Sequence, residues 1–230
     1  MSVEIAGLFK HPLVHKWVTR EQRVQSPSEE IANSVSAGVG LIAAIGGIPL
    51  LLASATQRRS NWTVAGALVF AATTVLLYLA STVYHALPPK RAKRLFRLID
   101  YMAIFLLIAG TYTPFTLGAL RGAVGWTLFA AVWSLAILGI GFTVFGGLNF
   151  RRLSVCMYLG LGWLGLFAAW PLWLHVPLSG LLWLVAGGIA YTAGIVFYLA
   201  NRLAYSHFIW HLFVIAGTSC HFCAVVWYAG

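Results

Sequence analysis

The chain has 230 residues, of which 60% are apolar and only 9% charged, against roughly 25% charged in a soluble domain. That composition excludes a water-soluble globular protein and points to an integral membrane protein. The formal net charge is +10, but the basic residues fall in short loops between apolar runs, where they act as topology signals facing anionic headgroups. No nucleic-acid partner is expected, and three cysteines do not make a secreted disulfide framework.

Residues 1–28 read as a polar, basic cytoplasmic segment carrying Lys10, Lys16, Arg20 and Arg23. His15 to Gln25, with Val14, Trp17 and Val18 among the charges, is either a helix lying on the membrane surface or a solvated tail. The opening lacks a charged n-region followed by an apolar h-region, so no signal peptide is expected. The first span is then expected to target the protein and remain in it. Ser26-Pro27-Ser28-Glu29 has the spacing of a capping box, with proline at the first helical position. The membrane domain, residues 29–230, starts there.

Charge-free runs mark the spans that follow, each long enough for a hydrocarbon core that needs about 20 helical residues. Ile31–Gln57 holds the first and Ser60–Pro89 the second. Tyr101–Leu120 belongs to the third, which is expected to begin near Phe96. Gly122–Phe150 holds the fourth. Leu153–Asn201 is too long for one span and breaks at the turn His175–Gly180 into a fifth and a sixth. Leu203–Gly230 gives the seventh. The expected fold is all-α, a seven-transmembrane-helix bundle. No internal repeat is evident. Gly38, Gly40, Gly46 and Gly47 in the first span, and Gly187 and Gly188 in the sixth, are expected to let helices approach closely.

An odd number of spans puts the termini on opposite sides. The side of the N-terminus carries 12 Lys and Arg residues: four in the tail, then Lys90, Arg91, Lys93, Arg94, Arg97, Arg151, Arg152 and Arg202. The other side carries three, Arg58, Arg59 and Arg121. Positive charge stays in the cytoplasm. The N-terminus is therefore expected inside and the C-terminus outside, in a multi-pass protein of the plasma membrane.

That topology brings polar residues to one depth. His207 and His211 lie four apart near the start of the last span, so they share a face. His85 ends the second span, with Ser81 one turn deeper. Asp100 lies early in the third span and is the only acid after the start of the first. All five fall at the cytoplasmic side. Three neutral imidazoles with a nearby carboxylate and an open position form the pattern of a catalytic Zn2+ site. In such a site Asp100 is placed to hold or deprotonate water, and Ser81 to hydrogen-bond water or substrate. The bland alternatives are separate histidines bonded to backbone or headgroups, and Asp100 paired with Arg97.

Cys220-His221-Phe222-Cys223 is a competing cluster. It lies in the outer half of the last span, with His221 about 20 Å along the helix axis from His207, so the two cannot share an ion. Both cysteines point away from the His207/His211 face, and with Cys156 they read as small packing residues. His11, His15 and His175 read as exposed. Gly110-Thr111-Tyr112-Thr113-Pro114-Phe115 places a proline within the third span, either as a supported kink or as a bend that shapes a cavity.

These stretches resemble the bacterial hemolysin III proteins, within the group of progestin and adiponectin receptors. The resemblance is carried by Glu29-Glu30-Ile31-Ala32-Asn33, by Ser81-x-x-x-His85 with Ala86-Leu87-Pro88, and by Ile99-Asp100. Ile108 to Phe115 and His207-x-x-x-His211 with Ala216-Gly217 complete it. It implies Zn2+ held by His85, His207 and His211, with Asp100 on the water and Ser81 nearby, and a cytoplasmic N-terminus. Ala37 and Tyr101 depart from the pattern, since many members have histidine at those places. The resemblance further implies membrane lipids as partners and hydrolysis of a lipid amide or ester bond in membrane-lipid homeostasis. A lipid-sensing receptor with structural zinc and a hemolysin-type cytolytic protein remain open at this point. So does a proton-coupled transporter using Asp100. A retinal protein is excluded, because no lysine follows Lys93.

Overall fold

A chain crossing a hydrocarbon layer must satisfy its own backbone polar groups, and helix does so without a partner strand. The computed structural model describes residues 24–146, 151–200 and 202–230, and all regular structure among them is helical. The order is α1 (Pro27–Gln57), α2 (Asn61–Ala86), α3 (Arg91–Leu117) and α4 (Ala123–Gly146). Then come α5 (Arg151–Gly162), a 3-10 stretch (Leu164–Ala168), α6 (Ala169–His175), α7 (Leu178–Leu199) and α8 (Ser206–Tyr228). With the pieces from residue 152 to residue 175 forming one crossing, seven segments are long and apolar enough to span a membrane. Large apolar side chains cover the outer faces: Ile42 is 74%, Phe167 90% and Phe145 91% exposed. So broad an apolar surface belongs against lipid rather than water. The basic N-terminal tail, including His11, His15 and most of the expected surface helix, lies outside the described residues.

The start of α1 follows its sequence signal. Ser26 Oγ accepts from the Glu29 N–H (3.3 Å), and Glu29 Oε2 accepts from the Ser26 N–H (2.8 Å). The second Glu29 oxygen accepts from the N–H of Tyr205 (2.8 Å), just before α8. One carboxylate thus caps α1 and binds it to the head of α8. At their far ends the two helices meet again, where Ser54 and Arg58 both donate to the carbonyl of Val226. α1 and α8 therefore run in parallel.

The third helix begins at Arg91, five residues before Phe96. Its basic first turns are helical because Lys93 turns back to donate to the carbonyls of Tyr84 and Leu87 (3.1 Å each) at the end of α2. Those are among the carbonyls that a helix end leaves unpaired. Across α3, Gly66 of α2 lies against Pro114, where a Cβ would meet the proline backbone at 2.8 Å. Thr113 donates to the carbonyl of Ala109 (2.8 Å), which supports the chain around the proline. Of the glycines expected at contacts, Gly40, Gly47 and Gly187 abut aromatic rings, whereas Gly46 faces open space.

The fifth crossing is not one helix. α5 stops at Gly162, and the 3-10 stretch leaves backbone groups unpaired at membrane depth. Tyr112 of α3 meets this need: its hydroxyl donates to the carbonyls of Gly162 (2.6 Å) and Leu161 (3.1 Å) and accepts from the N–H of Gly165 (2.8 Å). Irregular backbone persists in a membrane only where protein satisfies it.

Two buried clusters fill the bundle. One joins α1, α2 and α8 around Leu51, Phe70 and Val225, and the other joins α3, α4 and α5 around Phe105, Val132 and Leu161. Between them runs a cavity of about 500 Å³ with an overwhelmingly apolar lining.

Candidate metal centre

Spacing and depth place three imidazoles together. His207 and His211 stand one turn apart on the first two turns of α8. His85 comes from the last turn of α2, where Pro88 and Pro89 end the helix. The three rings form a nearly equilateral triangle, with centroid separations of 4.7 Å (His207–His211), 5.0 Å (His85–His207) and 5.2 Å (His85–His211). One ring nitrogen from each lies within 4.8 Å of the other two. His85 and His211 are buried.

The first turns of α1 orient two of these rings. Glu30 Oε2 lies 2.7 Å from His85 Nδ1, and Glu30 Oε1 lies 3.0 Å from Lys93 Nζ. A carboxylate held by an ammonium group can only accept here, so His85 carries its proton on Nδ1. That leaves the lone pair on Nε2, which is buried and has no hydrogen-bonding partner in the protein. His211 Nδ1 lies 3.1 Å from the Asn33 carbonyl oxygen and 2.9 Å from Ser36 Oγ. The carbonyl can only accept, and Ser36 spends its own proton on the same carbonyl (2.9 Å). His211 is therefore also an Nδ1–H tautomer, with its lone pair on Nε2. Imidazoles fixed through one nitrogen by carboxylate or carbonyl, with the other left bare, are what a metal ion requires. The donor set, three neutral nitrogens, suits Zn2+. The residues fit the group that the sequence pattern implied.

The other two sequence candidates, Asp100 and Ser81, line the same cavity as two of these histidines, His207 and His211. Asp100 is buried and interacts with the Ser81 side chain. Among the described residues Asp100 makes no ion pair with Arg97, so the interfacial salt-bridge alternative finds no support. Asp100 is not within the 4.8 Å group formed by the histidines. Ala37 and Tyr101 line the same cavity. Tyr101 is held at its carbonyl by the Tyr158 hydroxyl (2.9 Å).

Glu30, Asn33 and Ser36 are absent from the candidates read in the sequence. Glu30 and Asn33 stand in the first stretch that carries the family resemblance, with no role at the site assigned to them. Glu30 falls at the depth of the histidines, because the start of α1 lies at the end of the bundle where α2 ends and α8 begins. Residues 30, 33 and 36 also recur at nearly helical spacing, so they share a face.

The remaining candidates separate. Cys220 and Cys223 are free and half-buried, and Cys156 is free and exposed. None joins a metal-binding group among the described residues. His175, at the end of α6, directs Nδ1 to the carbonyl of Pro171 (2.8 Å) and is exposed. His221, between the two cysteines, is buried and lines the deep part of the cavity.

The profile of the Haemolysin-III related family matches residues 25–222. The chain belongs to that family. Hemolysin-3 of Bacillus cereus is 41% identical over 204 residues, covering 89% of this chain and 93% of that protein. The Hemolysin-3 homolog of Bacillus subtilis (strain 168) is 40% identical over 200 residues, covering 87% and 94%. The human Monocyte to macrophage differentiation factor is 25% identical over 191 residues, 77% of each chain. This member of the haemolysin III-related family is thus a multi-pass membrane protein with a three-histidine cluster, and its distant relatives are of the adiponectin and progestin receptor group.

Proposed function

We propose that the protein is a Zn2+-dependent hydrolase of a lipid amide or ester bond, with the ion held by His85, His207 and His211. The observation that carries this reading is the position of the cluster: three imidazoles converge, and two of them, His207 and His211, line a cavity that is almost wholly apolar. A polar reaction centre at the mouth of an apolar cavity matches a substrate with a polar head and a hydrocarbon chain. The same lining argues against an aqueous pore, which would need polar walls.

Bound Zn2+ supplies Lewis acidity that polarises an acyl carbonyl and strengthens water as an acid. The protein's own groups do the rest. Asp100 takes a proton from the water that attacks the acyl carbon, then returns it to the departing amine or alcohol as the C–N or C–O bond breaks. Ser81 orients the carboxyl group. Glu30 and the Asn33 carbonyl keep two imidazoles from turning away. The cavity holds the acyl chain, in part along a wall of Leu166, Trp173, Leu182 and Val185, whose side chains also face the outside of the bundle. The 12-to-3 distribution of basic residues supports an N-terminus inside, which puts the site in the cytoplasmic leaflet.

The test is acyl release by purified, zinc-loaded protein from a panel of lipid amides and esters in liposomes. Wild-type protein is expected to cleave at least one class. Asp100→Asn is expected to lower turnover about 10²- to 10⁴-fold with metal content unchanged. No cleavage across the panel, or full turnover by Asp100→Asn, would refute the assignment.

A further inference from the structure

Deep in the cavity, away from the three histidines, a second polar group interrupts the apolar lining. Tyr78 of α2, Tyr191 of α7 and Thr218 and His221 of α8 meet there. Thr218 Oγ1 donates to the carbonyl of Val214 (2.9 Å), which commits its only proton. It then accepts from the hydroxyls of Tyr78 (3.0 Å) and Tyr191 (2.9 Å). His221 stacks on the Tyr191 ring, with centroids 5.5 Å apart and an interplanar angle of 17°. Its Nδ1 has no hydrogen-bonding partner in the protein, although the residue is only 9% exposed. Tyr78, Tyr191 and His221 all line the cavity.

The backbone is shaped around these rings. A Cβ on Gly40 would lie 2.5 Å from the Tyr78 ring, one on Gly217 2.7 Å from the Tyr191 ring, and one on Gly187 2.6 Å from His221 Nε2. Three glycines on three helices therefore leave room for three polar aromatic side chains. An apolar chain running past them would leave the His221 nitrogen unpaired, at a cost no plain methylene offsets. Both tyrosine protons are spent on Thr218, so the phenol oxygens can only accept. The group thus offers acceptors from the tyrosines and a ring nitrogen able to donate or accept. A hydroxyl, which both donates and accepts, complements it, whereas a keto oxygen can only accept.

We propose that this cluster is a second recognition station, selecting an acyl chain that bears a hydroxyl about eight to twelve carbons from the carbonyl. The reach follows from the helix. Thr218 and His221 lie seven and ten residues beyond His211, about 10 and 15 Å along the axis. With C–C bonds of about 1.5 Å, an extended chain covers that distance in about eight to twelve carbons. The proposal rests on the reading of the cavity as an acyl-chain site and adds the position and chemistry of a substituent.

The test is displacement of a fluorescent fatty acid from the full chain in nanodiscs. The competitors are octadecanoic acid, its derivative hydroxylated at carbon ten, and its derivative hydroxylated at carbon two. The acid hydroxylated at carbon ten is expected to compete at about five- to tenfold lower concentration than the other two. That preference is expected to vanish in His221→Phe and Thr218→Val, while both variants keep their affinity for the unsubstituted acid. Equal competition by all three acids, or a preference that survives both substitutions, would overturn the station and leave the acyl-chain site standing. Failure of every acid to compete would overturn the acyl-chain site, and the station with it.

Discussion

Helix α8 carries three buried or half-buried histidines in two settings, and the contrast shows what makes an imidazole a ligand. His207 and His211 meet a third ring from α2, and the neighbours of His85 and His211 fix which nitrogen bears the proton. His221 lies ten residues further on, between two cysteines, in a Cys-His-Phe-Cys stretch whose residue types can also bind metal. There the rings and thiols do not converge. His221 stacks on Tyr191 instead, and both cysteines remain free. Both places carry metal-capable side chains within about one helical turn. Partners from α1 and α2 make the difference, and their depth in the bundle decides which end of α8 they reach.

The contrast can be sharpened by removing those partners. Glu30→Gln deletes the charge that Lys93 and His85 share. It is expected to weaken metal binding about 10- to 100-fold, read by competition with a chelator of known affinity. Unchanged affinity would mean that the Glu30–His85 contact has no bearing on the centre. Ser36→Ala leaves His211 its bond to the Asn33 carbonyl, so a smaller loss of about two- to fivefold is expected in the same assay. Cys220→Ser with Cys223→Ser is expected to leave metal affinity where it was. A drop there would bring the outer half of α8 into the site and erase the distinction.

Much of this organisation is legible in the sequence because the membrane leaves the backbone few options. A charge-free run must be helical, so the seven spans follow from where charges stop. The capping box at Ser26 sets the start of α1, and α8 fills the last charge-free run. Alternation of spans then brings His85, Asp100, His207 and His211 to one end. What stays hidden depends on contacts between distant segments. The break after Gly162 is stable because Tyr112, 50 residues earlier, satisfies it. The early start of α3 reflects Lys93 reaching the carbonyls of α2. Glu30 resembles any acid in a first helical turn until His85 is placed beside it.

The most direct measurement is the metal content of detergent-purified protein, kept from chelators and read by elemental mass spectrometry. Wild-type protein, His207→Ala/His211→Ala and His221→Ala would be compared. About one zinc per chain is expected in wild type and in His221→Ala, and none in the double variant. A wild-type protein without stoichiometric metal, or a double variant that keeps it, would contradict the three-histidine centre.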